Sequence, residues 1–456
     1  MLTPESTRVA ALGERTVPSP KRLSTTPGDG FGDFVPDDAR VLHCIEVFPD
    51  RPCASEVSFE KAGPREKIFF RPEQTKAAIV TCGGLCPGIN NVIRSVFLEL
   101  YYHYGVKDVL GIRYGYQGLN PAQGRPPILL TRRFVDKIHK EGGSILGSSR
   151  GNQDAGVMVD FLQREGISIL FCVGGDGTQK AAHLIHEEAS RRGARISVVG
   201  IPKTIDNDIM HVSRTFGYST ALEKAREVID CAHMEARGAP NGIGLVKLMG
   251  RDSGFIAAGA TLASQEVNFC LVPEVPFALE GEGGFLQVLE KRLAERGHAV
   301  IVVAEGAGQD LMGGIGQERD ESGNLRYKDI GAFLRDRIAE HFHSAGVPIN
   351  LKYFDPSYII RSIPANGDDS LLCNGLARHA VHAAMAGKTD VLIGLMHDVF
   401  IHVPIPLVIQ GRKRISPEGE LWMGVIEATG QPERFGRPGG QVKGQKEEGG
   451  ASPVSA

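Results

Sequence analysis

The sequence reads as an α/β protein with mostly parallel sheets, on three grounds. Four short apolar runs, at 77–81, 168–173, 196–201 and 299–304, are continuous and bounded by Gly or Pro, as strands covered on both faces are. Amphipathic stretches at 90–104, 179–192, 221–236, 285–295 and 373–386 alternate with them, which is the order of strand-helix-strand units. The region 76–430 is also too long for one small doubly wound sheet, so two α/β lobes with a cleft between them are expected.

The flanks have a different character. Residues 1–74 are rich in Pro, Ser, Thr and charge, with short apolar patches such as 41–42 and 45–48, and read as an N-terminal extension with weak structure of its own. Residues 431–456 hold six glycines and three prolines, with Phe435, Val442 and Val454 as their main apolar side chains, and read as a flexible tail.

Composition narrows the class further. Glycine supplies 57 of 456 residues, well above the usual level of about 7%. No Gly-X-Y period exists and 42% of the chain is hydrophobic, which excludes collagen and wholesale disorder. The balance of 51 basic against 54 acidic residues gives no basic surface for nucleic acid or membrane. The eight cysteines (Cys44, Cys53, Cys82, Cys86, Cys172, Cys231, Cys270, Cys373) include no CxxC pair and read as reduced thiols. No run approaches the roughly 18 apolar residues of a membrane helix and no signal-peptide stretch opens the chain, so a cytoplasmic protein is expected.

Three segments run from a strand into glycine-rich backbone and then a helix. In the first, Gly83, Gly84 and Gly88 follow the run at 77–81. Backbone N–H groups at such a turn, with the helix N-terminus after it, form an anion site, although a turn of this kind is as often structural. In the second, Gly174, Gly175, Asp176, Gly177 and Thr178 follow the run at 168–173, at a strand end where open α/β sheets bind ligands. Asp176 among phosphates would repel them unless it held magnesium, which prefers oxygen ligands; capping the following helix is the alternative use of the residue. The third, 142–150, ends in Arg150, placed to reach either a phosphate or solvent.

The run at 196–201 leads into Pro202, Lys203, Thr204, Ile205, Asp206, Asn207 and Asp208. In an extended loop Asp206 and Asp208 share a side, one serving as general base and the other binding metal or orienting Lys203; an Asx turn is the competing use of the same residues. Lys247 and Arg251 flank a glycine turn, Glu305 ends the run at 299–304, and the segment 352–361 gathers Lys352, Tyr358 and Arg361. Cations at the strand ends of a near-neutral chain point to phosphorylated ligands. His183 and His186 lie beside Glu187 and Glu188 on a helix and read as an exposed face rather than a metal site.

In this order, GGxxPGxN (83–90), GGDGT (174–178), PKTIDND (202–208) and MGR (249–251) resemble the 6-phosphofructokinase family over about residues 76–430. GGDGT alone is also similar to NAD kinases and diacylglycerol kinases. The resemblance implies two Rossmann-like lobes, the first at about 76–215 plus 361–410 and the second at about 216–360, with nucleotide mainly on the first and fructose 6-phosphate in the cleft. It implies donor contacts for Gly83, Gly84, Arg150, Gly175, Asp176, Gly177, Thr178 and Lys203, with Asp176 at the Mg2+ position. For the sugar it implies Thr204, Ile205, Asp206, Met249, Gly250, Arg251, Glu305, Lys352, Tyr358 and Arg361, with Asp206 as catalytic base and Arg251 stabilising the transferred charge. Lys352 falls where bacterial members carry an arginine from a neighbouring subunit. A homo-oligomer, dimer or tetramer, is therefore implied, with regulatory sites between subunits as in those members.

Pyrophosphate-using members typically have Asp at the position of Gly177 and Lys at that of Lys203. An Asp at 177 would set bulk and charge where the α-phosphate of ATP lies; two charges about 4 Å apart repel by about 4 kcal/mol at an effective dielectric of 20, and glycine removes both obstacles. GGDG together with PKTIDND resembles the ATP-dependent branch of plants and trypanosomatids, which also carries a long N-terminal extension. The reaction implied is in-line transfer of the γ-phosphoryl group of ATP to the 1-hydroxyl of fructose 6-phosphate, a step of glycolysis. A pyrophosphate-dependent transferase and a non-catalytic nucleotide-sensing module are the alternatives.

Overall fold

The computed structural model describes residues 2–46, 57–151, 153–313 and 327–436. Cys53, Val442 and Val454 lie outside the described residues, as do 47–48 and 437–456. Among the described residues, thirteen strands form two main sheets: β1 (Arg40–Leu42), β2 (Ser58–Lys61), β3 (Lys76–Thr81), β4 (Asp108–Ile112), β5 (Ile128–Leu129), β6 (Ile169–Gly174), β7 (Ser197–Pro202), β8 (Gly242–Leu248), β9 (Phe269–Leu271), β10 (His298–Ala304), β11 (Asn350–Phe354), β12 (Val391–Met396) and β13 (Val399–Pro404). The larger sheet has the order β1-β2-β13-β12-β7-β6-β3-β4-β5 and the smaller β9-β10-β8-β11. The smaller sheet and the central strands of the larger are parallel. The continuous apolar runs are central strands: every residue of β6 and β7 is buried, because helices cover both faces.

Register decides where the loops emerge. Thr81 pairs with Val173 and Gly174 with Pro202, so the loops after β3, β6 and β7 leave the larger sheet level with one another. Leu248 pairs with Ala304 and Val246 with Phe354, which does the same for the smaller sheet. The chain leaves β3 for β4 on one side and returns to β6 on the other, a topological switch point. One apolar cluster runs from Ile79 and Val173 through Phe216, Ile229 and Ala377 to Val246 and Val302, joining both sheets across the helices Tyr218–Arg237 and Gly367–Met385. No helix among the described residues is long and apolar enough to cross a membrane.

The flanks depart from their sequence reading. Ala10–Ala11 pairs with Lys388–Thr389, Val17–Pro18 with Lys67–Ile68, and β1 and β2 continue the larger sheet beyond β13. These strands are too short to stand alone; core backbone and buried charge hold them. Glu60 lies 2.9 Å from Arg65, 2.8 Å from Lys388 and 3.2 Å from the His402 ring. At the other end, the Gln431 amide accepts from the Cys270 N–H at 2.7 Å and donates to its carbonyl at 3.2 Å, while Phe435 is buried against Phe269 and Phe285. Residues 431–436 are therefore seated on the smaller lobe. His183 and His186 are half-buried, not on an exposed face: their Nδ1 atoms lie 2.9 Å from Asp390 and 3.1 Å from the Thr389 hydroxyl, because their helix packs against that strand.

Glu60→Gln leaves Arg65, which is 2% exposed, without its buried counter-charge. Breaking such a pair costs about 3 kcal/mol, which is the loss expected from the urea midpoint. A change below about 0.5 kcal/mol, the size of an ordinary surface substitution, would show that the extension is not anchored there.

Candidate active site

Three cations converge on bare backbone at the switch point. Gly83 adopts φ +84°, and a β-carbon placed on Gly84 would stand 3.3 Å from an Arg361 guanidinium nitrogen and 3.7 Å from one of Arg150. Lys203 is buried, and its Nζ donates to the Gly84 carbonyl at 2.7 Å. Burial pushes its pKa below the ordinary lysine value. Burial and the neighbouring Arg150 also disfavour the charge of Arg361, whose guanidinium lies 4.7 Å from the Tyr358 ring centroid. Like charges held together in this way bind an anion at no further cost in approach.

The Asp176 loop lies alongside. Gly175, not Asp176, is the N-cap of the helix Asp176–Arg191, and no side chain caps it, so the capping alternative for Asp176 is not used. Its carboxylate instead lies 2.8 Å from Lys180 Nζ and 3.7 Å from Arg412. A β-carbon on Gly177 would meet nothing within 4 Å, whereas one on Gly174 would fall on the Thr178 hydroxyl. The space beside Gly177 is open, and the buried Thr178 side chain supports the loop from behind.

The acid loop is a turn rather than an extended strand. Asn207 has φ 53° and its side-chain oxygen accepts from Thr215 N–H at 3.0 Å, because the chain must fold back for Lys203 to bridge Phe216. Within the turn the Thr204 hydroxyl accepts from Asp206 N–H and donates to Asp208, both at 3.1 Å. Ile205 points into the core, so only its backbone borders the cleft. Asp206 is half-buried, and its Oδ1 is closed off with no hydrogen-bond partner. Burial first, then Asp208 and Glu305, raise its pKa well above the carboxylate range against the pull of Arg412 and Arg251. Burial raises Glu305 too, with Arg251 the main opposing charge.

The smaller lobe closes the other side. Gly306 N–H donates to the Gly250 carbonyl at 3.1 Å, and a β-carbon on Gly306 would strike the Arg251 carbonyl at 1.8 Å, so glycine is required there. The Ser253 hydroxyl donates to the Asp206 carbonyl at 3.2 Å, linking the lobes, and Met249 packs half-buried on the core. The Arg251 guanidinium lies 5.4 Å from the Tyr327 ring centroid. Lys247 is taken up by Asp329 at 3.2 Å and Asp355 at 2.8 Å and so holds the lobe together instead of meeting phosphate. Lys352 is exposed on the edge strand β11, with no described contact to the cluster. The residue that sequence reading missed is Arg412. It is ion-paired with Asp252 and also faces Asp208 at 3.9 Å; its one signal was the basic run Arg412-Lys413-Arg414 after the last strand.

Among the described residues, no three His, Cys, Asp or Glu side chains form a ready metal cage. A magnesium ion that arrives with phosphates needs only one or two carboxylates and keeps its waters. Asp176 and Asp208 fit that requirement; burial first, and then the nearby Asp176 carboxylate, raise the pKa of Asp208 above the ordinary value against the pull of Arg412.

A cleft between two mostly parallel sheets, cationic around a glycine turn and with the half-buried carboxylate of Asp206 opposite, is that of a phosphoryl-transfer enzyme. Residues 76–384 match the family model described as phosphofructokinase, and the chain belongs to that family. It is similar to the ATP-dependent 6-phosphofructokinase of Borreliella burgdorferi, 49% identical over 432 residues that cover 93% of this chain and 96% of the relative. It is also similar to that of Trypanosoma cruzi, 48% identical over 377 residues, covering 81% and 76%. Among solved structures, a pyrophosphate-dependent phosphofructokinase from Marinobacter aquaeolei shares the fold with a TM-score of 0.65 at 20% identity, over 79% of this chain and 93% of that one.

Because the folded chain favours neutral Asp206, wild-type stability falls as pH rises from the ordinary carboxylate value of about 4 through the raised one. Asp206→Asn removes that loss. In ligand-free protein its Tm should exceed the wild-type value by a margin that widens with pH; a flat margin would place Asp206 in the ordinary range.

Proposed function

We infer that this chain transfers the γ-phosphoryl group of ATP to the 1-hydroxyl of fructose 6-phosphate, giving fructose 1,6-bisphosphate and ADP. The observation that carries the reading is Asp206: a carboxylate with an unpartnered buried oxygen, raised toward neutrality, between the cation cluster and Arg251. A base works best with a pKa near working pH and an oxygen not already engaged; the raised pKa of Asp206 and its unpartnered Oδ1 support that role. It would accept the 1-hydroxyl proton while Arg251 and Arg150 counter the charge spread over the transferred group. Arg361, stacked on Tyr358, would hold the sugar phosphate, and Glu305 with the backbone at 249–250 would hold the sugar hydroxyls. Mg2+, held by Asp176 with Asp208 beside it, would neutralise donor phosphate charge when bound. Lys203, fixed on the Gly84 carbonyl, keeps the glycine turn in shape under the donor.

ATP as donor is supported by the open space at Gly177 and by relatives named ATP-dependent. A homo-oligomeric working form is supported by the position of β11 at the edge of its sheet and, among the described residues, by the exposed Tyr358 and Ile359 shortly after it. Buried free thiols at Cys82, Cys86, Cys172, Cys270 and Cys373 support a reducing, cytoplasmic setting.

Asp206→Ser should lower kcat by about 10²- to 10⁴-fold with KM for fructose 6-phosphate nearly unchanged; near-normal turnover would remove it as base. Gly177→Asp should cut kcat/KM for ATP by roughly 10³-fold, the equivalent of about 4 kcal/mol of repulsion, and unchanged ATP kinetics would refute the donor argument. Arg361→Met should mainly raise KM for fructose 6-phosphate. A purely lower kcat would count against phosphate binding there.

A further inference from the structure

One guanidinium stands where the acids of three loops meet. Arg412 is ion-paired with Asp252, from the turn after β8, and lies 3.7 Å from Asp176 in the donor loop and 3.9 Å from Asp208 in the acid loop. Its side chain is 27% exposed. The backbone beside it is pinned independently of these pairs: Lys413 N–H donates to the Asp208 carbonyl at 2.8 Å, and Lys413 Nζ to the carbonyls of Val212 at 2.8 Å and Ser213 at 3.0 Å. Asp252 also accepts from the Tyr327 hydroxyl at 2.8 Å, which fixes the far side of the pair.

The contacts are unequal. Asp252 is paired directly with the guanidinium, while Asp176 and Asp208 are beyond hydrogen-bond length from it and held to it by charge alone; Asp176 is also met at 2.8 Å by Lys180 Nζ, an exposed side chain of its own helix. A guanidinium does not lose its proton in a protein, so this positive charge is permanent, and it faces the same two carboxylates that would receive a metal.

We propose that Arg412 is the built-in counter-cation shared by the acids of the ligand-free cleft, offsetting Asp208 and, together with the exposed Lys180, Asp176 until metal-bound nucleotide arrives, and then remaining on Asp252 alone. The inference rests on Asp176 as the metal carboxylate. Its consequence is selectivity: a bare divalent cation meets a fixed positive charge and binds weakly, whereas a metal carrying phosphates brings its own negative charge and draws the guanidinium off the acids. Arg412 is thus a positioning residue that makes the cleft respond to metal–nucleotide and ignore free metal.

The test is Mn2+ binding to full-length, nucleotide-free protein, followed by the electron paramagnetic resonance of the free ion. Arg412→Gln should bind Mn2+ at least about tenfold more tightly than wild type, as removal of one nearby positive charge allows; equal affinities overturn the proposal. Adding Asp176→Asn to Arg412→Gln should abolish the gain, and a gain that survives would overturn the metal role of Asp176 while leaving the counter-cation in place. If Arg412→Gln does not fold, wild type alone decides. Millimolar Mn2+ should leave its Tm where KCl of equal ionic strength leaves it, and a rise beyond that control would overturn the proposal.

Discussion

In each sheet, strand pairing brings several loops out side by side. Thr81 ends its strand opposite Val173, and Gly174 and Pro202 end theirs one residue further on as a pair, while in the smaller sheet Leu248 and Ala304 end as a pair. A slip of one residue in any of these pairings would exchange the two faces of the strand; β6 and β7 are packed on both faces, so close packing of the side chains holds the register. Everything in the cleft follows: the glycine turn, the Asp176 loop and the acid loop meet because their strands are locked in parallel.

That rigidity lets the site keep charges together that would otherwise part. Burial works against the charge of Lys203 and Arg361 on one side, the guanidinium keeping its proton, and pushes Asp206, Asp208 and Glu305 toward neutrality on the other. Each group is poor company for its neighbours and good company for a ligand of opposite sign. Such preorganisation, with little left to rearrange during the reaction, is how enzymes stabilise developing charge, and the shared core between the lobes sustains it.

Segments beyond the matched family region contribute as well. The extension completes the larger sheet through Glu60 and its partners, and the segment after β13 brings Arg412 to the acids and Lys413 to the back of the acid loop. Both are short stretches of chain that acquire structure by contact, which is why composition alone made the extension look weak and left Arg412 unremarked.

Apolar runs and glycine-rich strand ends were legible in the sequence because a buried parallel strand and a phosphate turn each demand particular residue types in consecutive positions. Gly83, Gly84, Asp176, Asp206, Arg251, Glu305 and Arg361 could be picked out on that basis. The turn at Asn207 was one of two uses those residues left open, and the inward side chain of Ile205, the capture of Lys247 by Asp329 and Asp355 and the place of Arg412 could not be read at all. These depend on which distant segment arrives beside a residue, and a charge shows its role only through the charges the fold sets around it: Arg412 is 160 positions from Asp252, and nothing local in either segment announces the pair.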